Sequence, residues 1–229
     1  MWGKLVILSG PSCVGKGSLR SALARLRPDV RTVSPVLCHS RPPRRKKSTG
    51  IWEVHGRDYY FLPRGLFPSL DKERFLTVMI RSEYQAVDLV QLESLLDEHP
   101  LVLMEAYPPL AFDIVSWAAA RPGESIAVTT VFLTPLSDDE IARQSSGLNI
   151  STVEVIYRVM KEKLLRRGED TPEKIEERAR YAPMEISFAP RFDHVLVCPV
   201  GEDDVAEWGD PLGPKAARVL EEFVNILES

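Results

Sequence analysis

One stretch decides the fold of this chain: Gly10-Pro11-Ser12-Cys13-Val14-Gly15-Lys16-Gly17-Ser18. The apolar run at residues 4–8 precedes it, and a run of that length that ends at a turn signal is typical of a buried strand. Apolar residues then recur at helical spacing until Pro28, which predicts a helix over residues 16–27. Strand, glycine-rich turn and helix together predict the opening of an α/β fold.

The same stretch predicts a phosphate-binding loop, or P-loop, because it follows a strand and opens a helix. Small residues let backbone N–H groups turn towards phosphate oxygens, and the helix N-terminus adds partial positive charge. We expect Lys16 to reach the terminal phosphates of a nucleoside triphosphate and Ser18 to hold Mg²⁺, directly or through water. The strict motif has serine or threonine directly after the lysine, whereas Gly17 intervenes here. A glycine turn without a ligand is the alternative.

The rest of the chain continues the alternation of strands and helices. We expect strands at residues 58–62, 101–104, 126–133 and 195–197. We expect helices at residues 87–97, 110–120, 137–144 and 151–166, from residue 171, and at 214–228, with a capping box at Ser151. This pattern predicts a three-layer α/β/α sandwich with a mostly parallel central sheet, the P-loop nucleoside triphosphate hydrolase fold.

Composition excludes several classes of protein. The 229 residues are 44% hydrophobic and 27% charged, which excludes collagen-like, coiled-coil and wholly disordered chains. A net charge of −4 argues against a basic nucleic-acid-binding domain, and no apolar run is long enough to span a membrane. The three cysteines, Cys13, Cys38 and Cys198, are too few and scattered for a disulfide framework or a zinc site. We expect a cytoplasmic protein with free thiols, monomeric or homodimeric, without nucleic-acid or membrane partners.

A basic segment, Ser40-Arg41-Pro42-Pro43-Arg44, follows the first helix. Two arginines three positions apart on a proline-stiffened segment predict a rigid clamp, because each planar guanidinium meets two phosphate oxygens. Tyr59 adds a hydroxyl to the same predicted site. A solvated basic loop is the alternative.

A P-loop followed by Arg41-Pro-Pro-Arg44 and then by Gly56-Arg-Asp-Tyr59-Tyr-Phe resembles the guanylate kinase family. The resemblance implies ATP as phosphoryl donor with Mg²⁺, and GMP as acceptor. It also implies that Arg41, Arg44 and Tyr59 bind the acceptor phosphate, with Glu53 in the same cluster. The additional residues 45–50 interrupt the match between Arg44 and Glu53.

The resemblance extends to a lid over the phosphates. Residues 132–137, followed by a helix, match the strand before the family's lid. Arg167 and Arg178 match lid arginines that act on the transferring group, and Lys163 or Arg143 stands for a further lid cation. The alternative for Arg178 is an ordinary ion pair with Glu176 or Asp170 on a solvated helix.

The implied organisation is one domain, residues 1–229. Its core is 1–34, 101–142 and 181–229, with an acceptor-binding insert at 35–100 and a lid at 143–180. Phosphoryl transfer needs positive groups that converge on the moving phosphoryl and no protein nucleophile. The implied catalytic residues are therefore Lys16, Arg41, Arg167 and Arg178.

Departures from the family concern base recognition. Leu37, Thr77 and Val87 stand where the family reads guanine with a serine, a glutamate and a hydroxyl. Glu105, at the end of a predicted strand, either substitutes for a family aspartate in substrate binding or caps the strand. Cys198 replaces the family's asparagine after the last strand, which leaves the donor base open.

Three functions remain consistent with these residues. The first is ATP-dependent phosphoryl transfer to GMP. The second is a kinase for a different phosphorylated acceptor, another nucleotide or ribose 1,5-bisphosphate. The third is a non-catalytic guanylate-kinase-like module that binds proteins, against which the intact P-loop argues.

Overall fold

The computed structural model describes residues 2–45, 50–121 and 126–229, so positions 46–49 of the additional segment lie outside it. Within these ranges the strands are β1 (Lys4–Ser9), β2 (Cys38–His39), β3 (Tyr60–Phe61), β4 (Phe75–Ile80), β5 (Glu83–Asp88), β6 (Leu101–Glu105), β7 (Val128–Thr134) and β8 (His194–Val197). The α-helices are α1 (Lys16–Leu26), α2 (Leu89–Glu98), α3 (Pro108–Ala119), α4 (Asp138–Leu148), α5 (Thr152–Arg167), α6 (Pro172–Ile186) and α7 (Pro214–Glu228).

The central sheet has the strand order β6-β1-β7-β8. β7 and β8 pair in parallel, with Val131 opposite His194 and Thr134 opposite Val197. Residues 5–8 of β1 are fully buried, as a strand with both faces covered requires. This mixed α/β architecture with a parallel central sheet confirms the predicted fold class.

Local signals account for the starts of α4, α5 and α6. Ser137 accepts a hydrogen bond from the Glu140 N–H and the Glu140 carboxylate accepts one from the Ser137 N–H, a complete capping box that the sequence analysis missed. At α5, Ser151 accepts from the Glu154 N–H, the first of the two hydrogen bonds predicted there. Thr171 caps α6 in the same way.

The chain divides into two compact units. The first comprises the described parts of Met1–Ile7 and Thr32–Thr129, and the second comprises Leu8–Arg31 and Thr130–Ser229. The predicted clamp belongs to the first unit, and the P-loop and lid belong to the second.

The first unit holds a second sheet, in the order β3-β2-β5-β4, of which the sequence predicted only β3. β4 and β5 form an antiparallel hairpin whose two turn residues, Arg81 and Ser82, both have positive φ. Such values fit the twist of a two-residue hairpin turn. A buried cluster of Cys38, Phe67 and Ala86 packs against one face of this sheet.

Because β5 extends to residue 88, α2 begins later than the sequence predicts. Asp88 ends β5, and its carboxylate accepts hydrogen bonds from the Val90 and Gln91 N–H groups. The helix predicted from residue 87 therefore begins at residue 89.

The second unit is mainly helical. α5 packs along α6 and beside α4, and α1 packs against α7. One face of α7 is buried, through Ala216, Val219, Leu220, Phe223, Val224 and Leu227. Across the described ranges, no helix combines the length and apolarity that crossing a membrane would take.

Candidate phosphate-binding and acceptor sites

The P-loop joins β1 to α1, and Gly15 shapes its backbone. Gly15 caps α1 with a φ of 107°, a left-handed value that glycine adopts without strain. A Cβ there would lie 2.8 Å from the Val200 carbonyl oxygen, so the close approach also requires glycine. The Gly15 and Gly17 N–H groups donate to the two oxygens of the Glu202 carboxylate, at 3.0 and 3.2 Å. The loop therefore directs two backbone amides at an anion, as phosphate binding requires.

The side chains of the P-loop differ in their contacts and their burial. The Lys16 ammonium donates to the Gly10 and Pro11 carbonyl oxygens, each at 2.8 Å. Cys13 is a non-glycine residue with a φ of 69°, and burial raises the pKa of its thiol to about 12. Of the other predicted loop residues, Val14 is fully buried, whereas Ser12 and Ser18 are half-buried.

An acidic segment, residues 199–204, follows β8 and lies against the P-loop. The Lys163 ammonium donates to the Pro199 carbonyl oxygen at 2.7 Å. The Asp203 side chain is only 1% exposed and accepts from Arg166 Nε and Nη2, at 3.0 and 2.7 Å. Lys163 Nζ lies 3.6 Å from the same carboxylate. These contacts anchor the segment. Nothing in the sequence assigned this segment a role.

The two candidates for a further lid cation occupy different positions. Lys163 is buried and anchors the acidic segment. Arg143 is exposed on α4 and donates to the Asp139 carbonyl oxygen. Its role on a phosphate stays a prediction.

The predicted lid arginines, Arg167 and Arg178, meet at one carboxylate. Asp170 accepts a hydrogen bond from Arg167, and its Oδ2 lies 3.1 Å from Arg178 Nη1. All three side chains are largely buried: Arg167 is 13% exposed, Asp170 is 6% exposed and Arg178 is 9% exposed. The Arg167 Nε–H is buried and makes no hydrogen bond among the described residues, but Glu169 Oε2 lies 3.6 Å from this nitrogen as an ion-pair partner. The pairing considered from the sequence is present, but it is buried rather than solvated. It brings both arginines to one point.

The predicted clamp is organised by Glu53. Arg41 Nη2 donates to Glu53 Oε1 at 2.7 Å, and the Arg44 backbone N–H donates to Glu53 Oε2 at 2.8 Å. Burial is the largest influence on the pKa of Glu53 and raises it, but the hydrogen bonds from Arg41 and Arg44 outweigh burial and hold that pKa below 4.5. One ionised carboxylate thus holds the Arg41 guanidinium and the Arg44 backbone.

Tyr59 lies beside the clamp together with two residues that the sequence analysis did not name. The Tyr59 ring lies 5.0 Å from Arg41 Cζ and meets the His39 ring edge-on at 5.3 Å. His39 Nδ1 accepts from the Arg41 N–H at 3.2 Å. A Glu83 carboxylate oxygen lies 3.8 Å from His39 Nε2 and from Arg44 Nη2. Glu83 joins the group only through the β4–β5 hairpin, whose register local sequence does not reveal.

The three positions predicted to recognise the base, Leu37, Thr77 and Val87, differ in their placement. Leu37 and Val87 are buried. Thr77 lies opposite Ala86, on the face that carries the buried Cys38 cluster. His39 alternates onto the other face. Thr77 is therefore turned away from the clamp, in addition to lacking a carboxylate.

Two predicted positions lie at strand ends. Glu105 is the last residue of β6 and is half-buried. Cys198 directly follows β8, is fully buried and donates its S–H to the Val200 carbonyl oxygen at 3.0 Å. Burial raises the pKa of this thiol to about 12.

Comparisons with known proteins bear on this combination of a P-loop and an arginine clamp. The family model described as Guanylate kinase matches residues 2–84. Guanylate kinase of Thermus thermophilus is 31% identical over 213 residues, which cover 91% of this chain and 80% of that protein. The chain belongs to the guanylate kinase family.

Other guanylate kinases agree with this assignment. That of Bacteroides thetaiotaomicron is 27% identical over 228 residues, which cover 98% of this chain and 92% of that protein. The crystal structure of guanylate kinase from Anaplasma phagocytophilum has a TM-score of 0.59 at 20% identity, covering 99% of this chain and 85% of that one. This last likeness supports the fold.

Proposed function

We propose that this chain is an ATP-dependent guanylate kinase, which transfers the γ-phosphoryl group of ATP to the phosphate of GMP. The observation that carries the proposal is the clamp, in which one buried carboxylate fixes Arg41 and Arg44 in a chain of this family. An arginine pair fixed in this way is suited to a phosphate dianion.

The donor is held by the P-loop. The amides of Gly15 and Gly17 bind phosphate oxygens, and Lys16 neutralises the terminal phosphates. The Ser18 hydroxyl is an oxygen ligand of the kind that Mg²⁺ takes, and no cluster of three or more His, Cys, Asp or Glu side chains in the described ranges offers a metal site. Ser18 would be the protein ligand for this Mg²⁺. Bound Mg²⁺ supplies neutralisation of phosphate charge.

The acceptor phosphate is held by Arg44, Arg41 and Tyr59. The Arg44 side chain is 35% exposed, whereas that of Arg41 is 6% exposed and engaged by Glu53. We assign the larger share of direct phosphate contact to Arg44. Arg41 and Tyr59 line the site beside Arg44 and contribute less to direct phosphate contact.

The transferring group is stabilised by the lid. Arg167 and Arg178 carry positive charge that Asp170 holds in place. A lid arginine that stabilises the transition state contributes about 10³–10⁵ in rate. Lid closure also excludes water, which prevents hydrolysis of ATP.

A second acceptor class is favoured by one specific observation. Leu37 and Val87 are buried apolar side chains, and Thr77 faces away from the clamp, so these positions offer no hydrogen bonds to guanine. Another nucleotide or ribose 1,5-bisphosphate uses the same phosphate clamp without those groups. Glu105 remains the proposed alternative contact to the acceptor.

The location of the protein is proposed from its thiols. Cys13, Cys38 and Cys198 are free and buried. Free thiols suit a reducing compartment, and we propose the cytoplasm.

Steady-state kinetics of Arg44→Ala test the proposed function, with Arg57→Ala as the matched control. Arg57 is an arginine of the same unit, 63% exposed and paired with Asp58. We expect the Arg44 variant to raise the KM for GMP at least tenfold, since it loses a charge-assisted contact of about 1.5–3 kcal/mol, and the Arg57 variant to change it little. Equal KM values for both variants would contradict the clamp assignment.

A further inference from the structure

Glu202 occupies the hydrogen-bond donors that the donor nucleotide needs. Its carboxylate oxygens accept from the Gly15 and Gly17 N–H groups, at 3.0 and 3.2 Å, at the N-terminus of α1. Nothing in the proposed phosphoryl transfer uses this carboxylate. We propose that Glu202 is a built-in competitor for the donor phosphates, so that ATP binds only by displacing it; this rests on the proposed nucleotide binding at the P-loop.

The backbone around Glu202 is held in place on both sides. The Trp208 indole N–H donates to the Val200 carbonyl oxygen at 3.3 Å, and the Asp203 carboxylate is buried against Arg166. A Cβ at Gly201 would lie 2.1 Å from the Cys13 carbonyl oxygen, so this backbone lies directly against the P-loop. The Glu202 side chain is therefore presented to the amides by a fixed segment.

The two anions compete because a carboxylate and a phosphate seek the same charge-assisted hydrogen bonds. The Glu202 contact is intramolecular, so it reduces the fraction of molecules that are ready to bind, and the apparent dissociation constant rises in proportion. A triphosphate overcomes this through additional contacts to Lys16 and other loop amides. The same factor applies to every ligand that must displace Glu202, so a ligand with a single phosphate, which gains fewer such contacts, binds weakly.

A structural role is the alternative, in which Glu202 merely caps α1 and shapes the P-loop. The two roles predict opposite results on removal of the carboxylate. A competitor that is removed strengthens phosphate binding, whereas a support that is removed weakens it. Asp204 offers a matched control, because it belongs to the same acidic segment but accepts from the Glu207 N–H rather than from the P-loop.

Isothermal titration calorimetry with Mg-ATP and, separately, with inorganic pyrophosphate tests the proposal. The proteins are the full chain and its variants Glu202→Ala, Glu202→Gln and Asp204→Asn. We expect Glu202→Ala to lower both dissociation constants about tenfold, from the loss of two charge-assisted hydrogen bonds that compete with the ligand. Glu202→Gln keeps one amide oxygen as an acceptor, so its dissociation constants should lie between those of wild type and those of Glu202→Ala. Asp204→Asn removes the same charge and should stay within about twofold of wild type.

Amide NMR shows whether each variant keeps its fold and whether Glu202 occupies the loop. Removal of the carboxylate should shift the Gly15 and Gly17 resonances, whereas Asp204→Asn should leave them in place. Unchanged or weaker ligand binding by a folded Glu202→Ala variant, with wild type binding normally, overturns the competitor and leaves the kinase proposal standing. Absence of ligand binding in wild type and all variants overturns both.

Discussion

Arg41 and Glu53 form an almost fully buried ion pair, with Nη2 2.7 Å from Oε1 and side chains 6% and 11% exposed. An ion pair in this position neutralises an arginine at the site where a phosphate is proposed to bind. The main effect of this ion pair is therefore on the conformation of the clamp. The Glu53 carboxylate also accepts a hydrogen bond from the Arg44 N–H, and so it fixes the backbone turn that carries the Arg44 side chain. Predictions about the clamp follow from this division of roles.

Glu53→Gln should destabilise the protein by about 3 kcal/mol, because it leaves the Arg41 guanidinium buried without a counter-charge. The control is Glu222→Gln, which removes a carboxylate from an exposed pair with Arg218 on α7. That change should cost much less, since exposed pairs contribute little. Urea denaturation of both variants measures the difference, and equal losses would show that the buried pair contributes no more than a surface pair.

The pH dependence of stability should reveal the same carboxylate. The folded-state pKa of Glu53 is lowered, because hydrogen bonds from Arg41 and Arg44 outweigh burial. Its contribution is therefore present above the ordinary pKa of 4.5 and is lost as the pH falls below it. The denaturation midpoints of wild type and Glu53→Gln should differ clearly at pH 6 and should be closer together at pH 3. A gap that stays constant would contradict this assignment.

Asp170→Asn should lower kcat by more than it changes the KM for either substrate, because it releases Arg167 and Arg178 from their shared position. It should also destabilise the protein, since two buried guanidinium groups lose their carboxylate. Glu176→Gln is the control, as Glu176 pairs with Lys161 and Arg180 on the helix surface. If both variants keep the wild-type kcat, the lid arginines are structural.

The thiols should be unreactive in the folded protein at neutral pH. Burial raises the pKa of Cys13 and Cys198 to about 12 and that of Cys38 to about 11, from an ordinary 9.0. A thiol reagent should therefore react slowly with native protein and modify all three cysteines in denaturant. Because the unfolded thiols ionise first, stability should fall as the pH rises from about 9 towards 11. Fast modification of any cysteine in the native protein would show that it is accessible.

The sequence revealed those parts of the molecule that depend on neighbours along the chain. The P-loop and its helix follow from residues 4–28, and the clamp of Arg41 and Arg44 follows from one proline-stiffened segment. The start of α5 follows from the cap at Ser151. Each of these features is a local interaction with a recognisable spacing.

What the sequence did not reveal depends on pairing between distant residues. The register of β4 against β5 decides that Thr77 faces away from the clamp. Glu83 meets His39, and Glu202 meets Gly15, across long separations in the chain. No periodicity or spacing rule predicts such contacts, because several carboxylates in each region have the required charge.

Consumption of Mg-ATP with GMP, dGMP, AMP, CMP, UMP and ribose 1,5-bisphosphate, by wild type and Lys16→Ala, tests the central claim most directly. We expect turnover with GMP that is lost in Lys16→Ala, because the P-loop lysine neutralises the transferring phosphates. Turnover that is confined to a different acceptor would contradict GMP as the substrate. Turnover that survives in Lys16→Ala, or its absence with every acceptor, would contradict the proposed kinase activity itself.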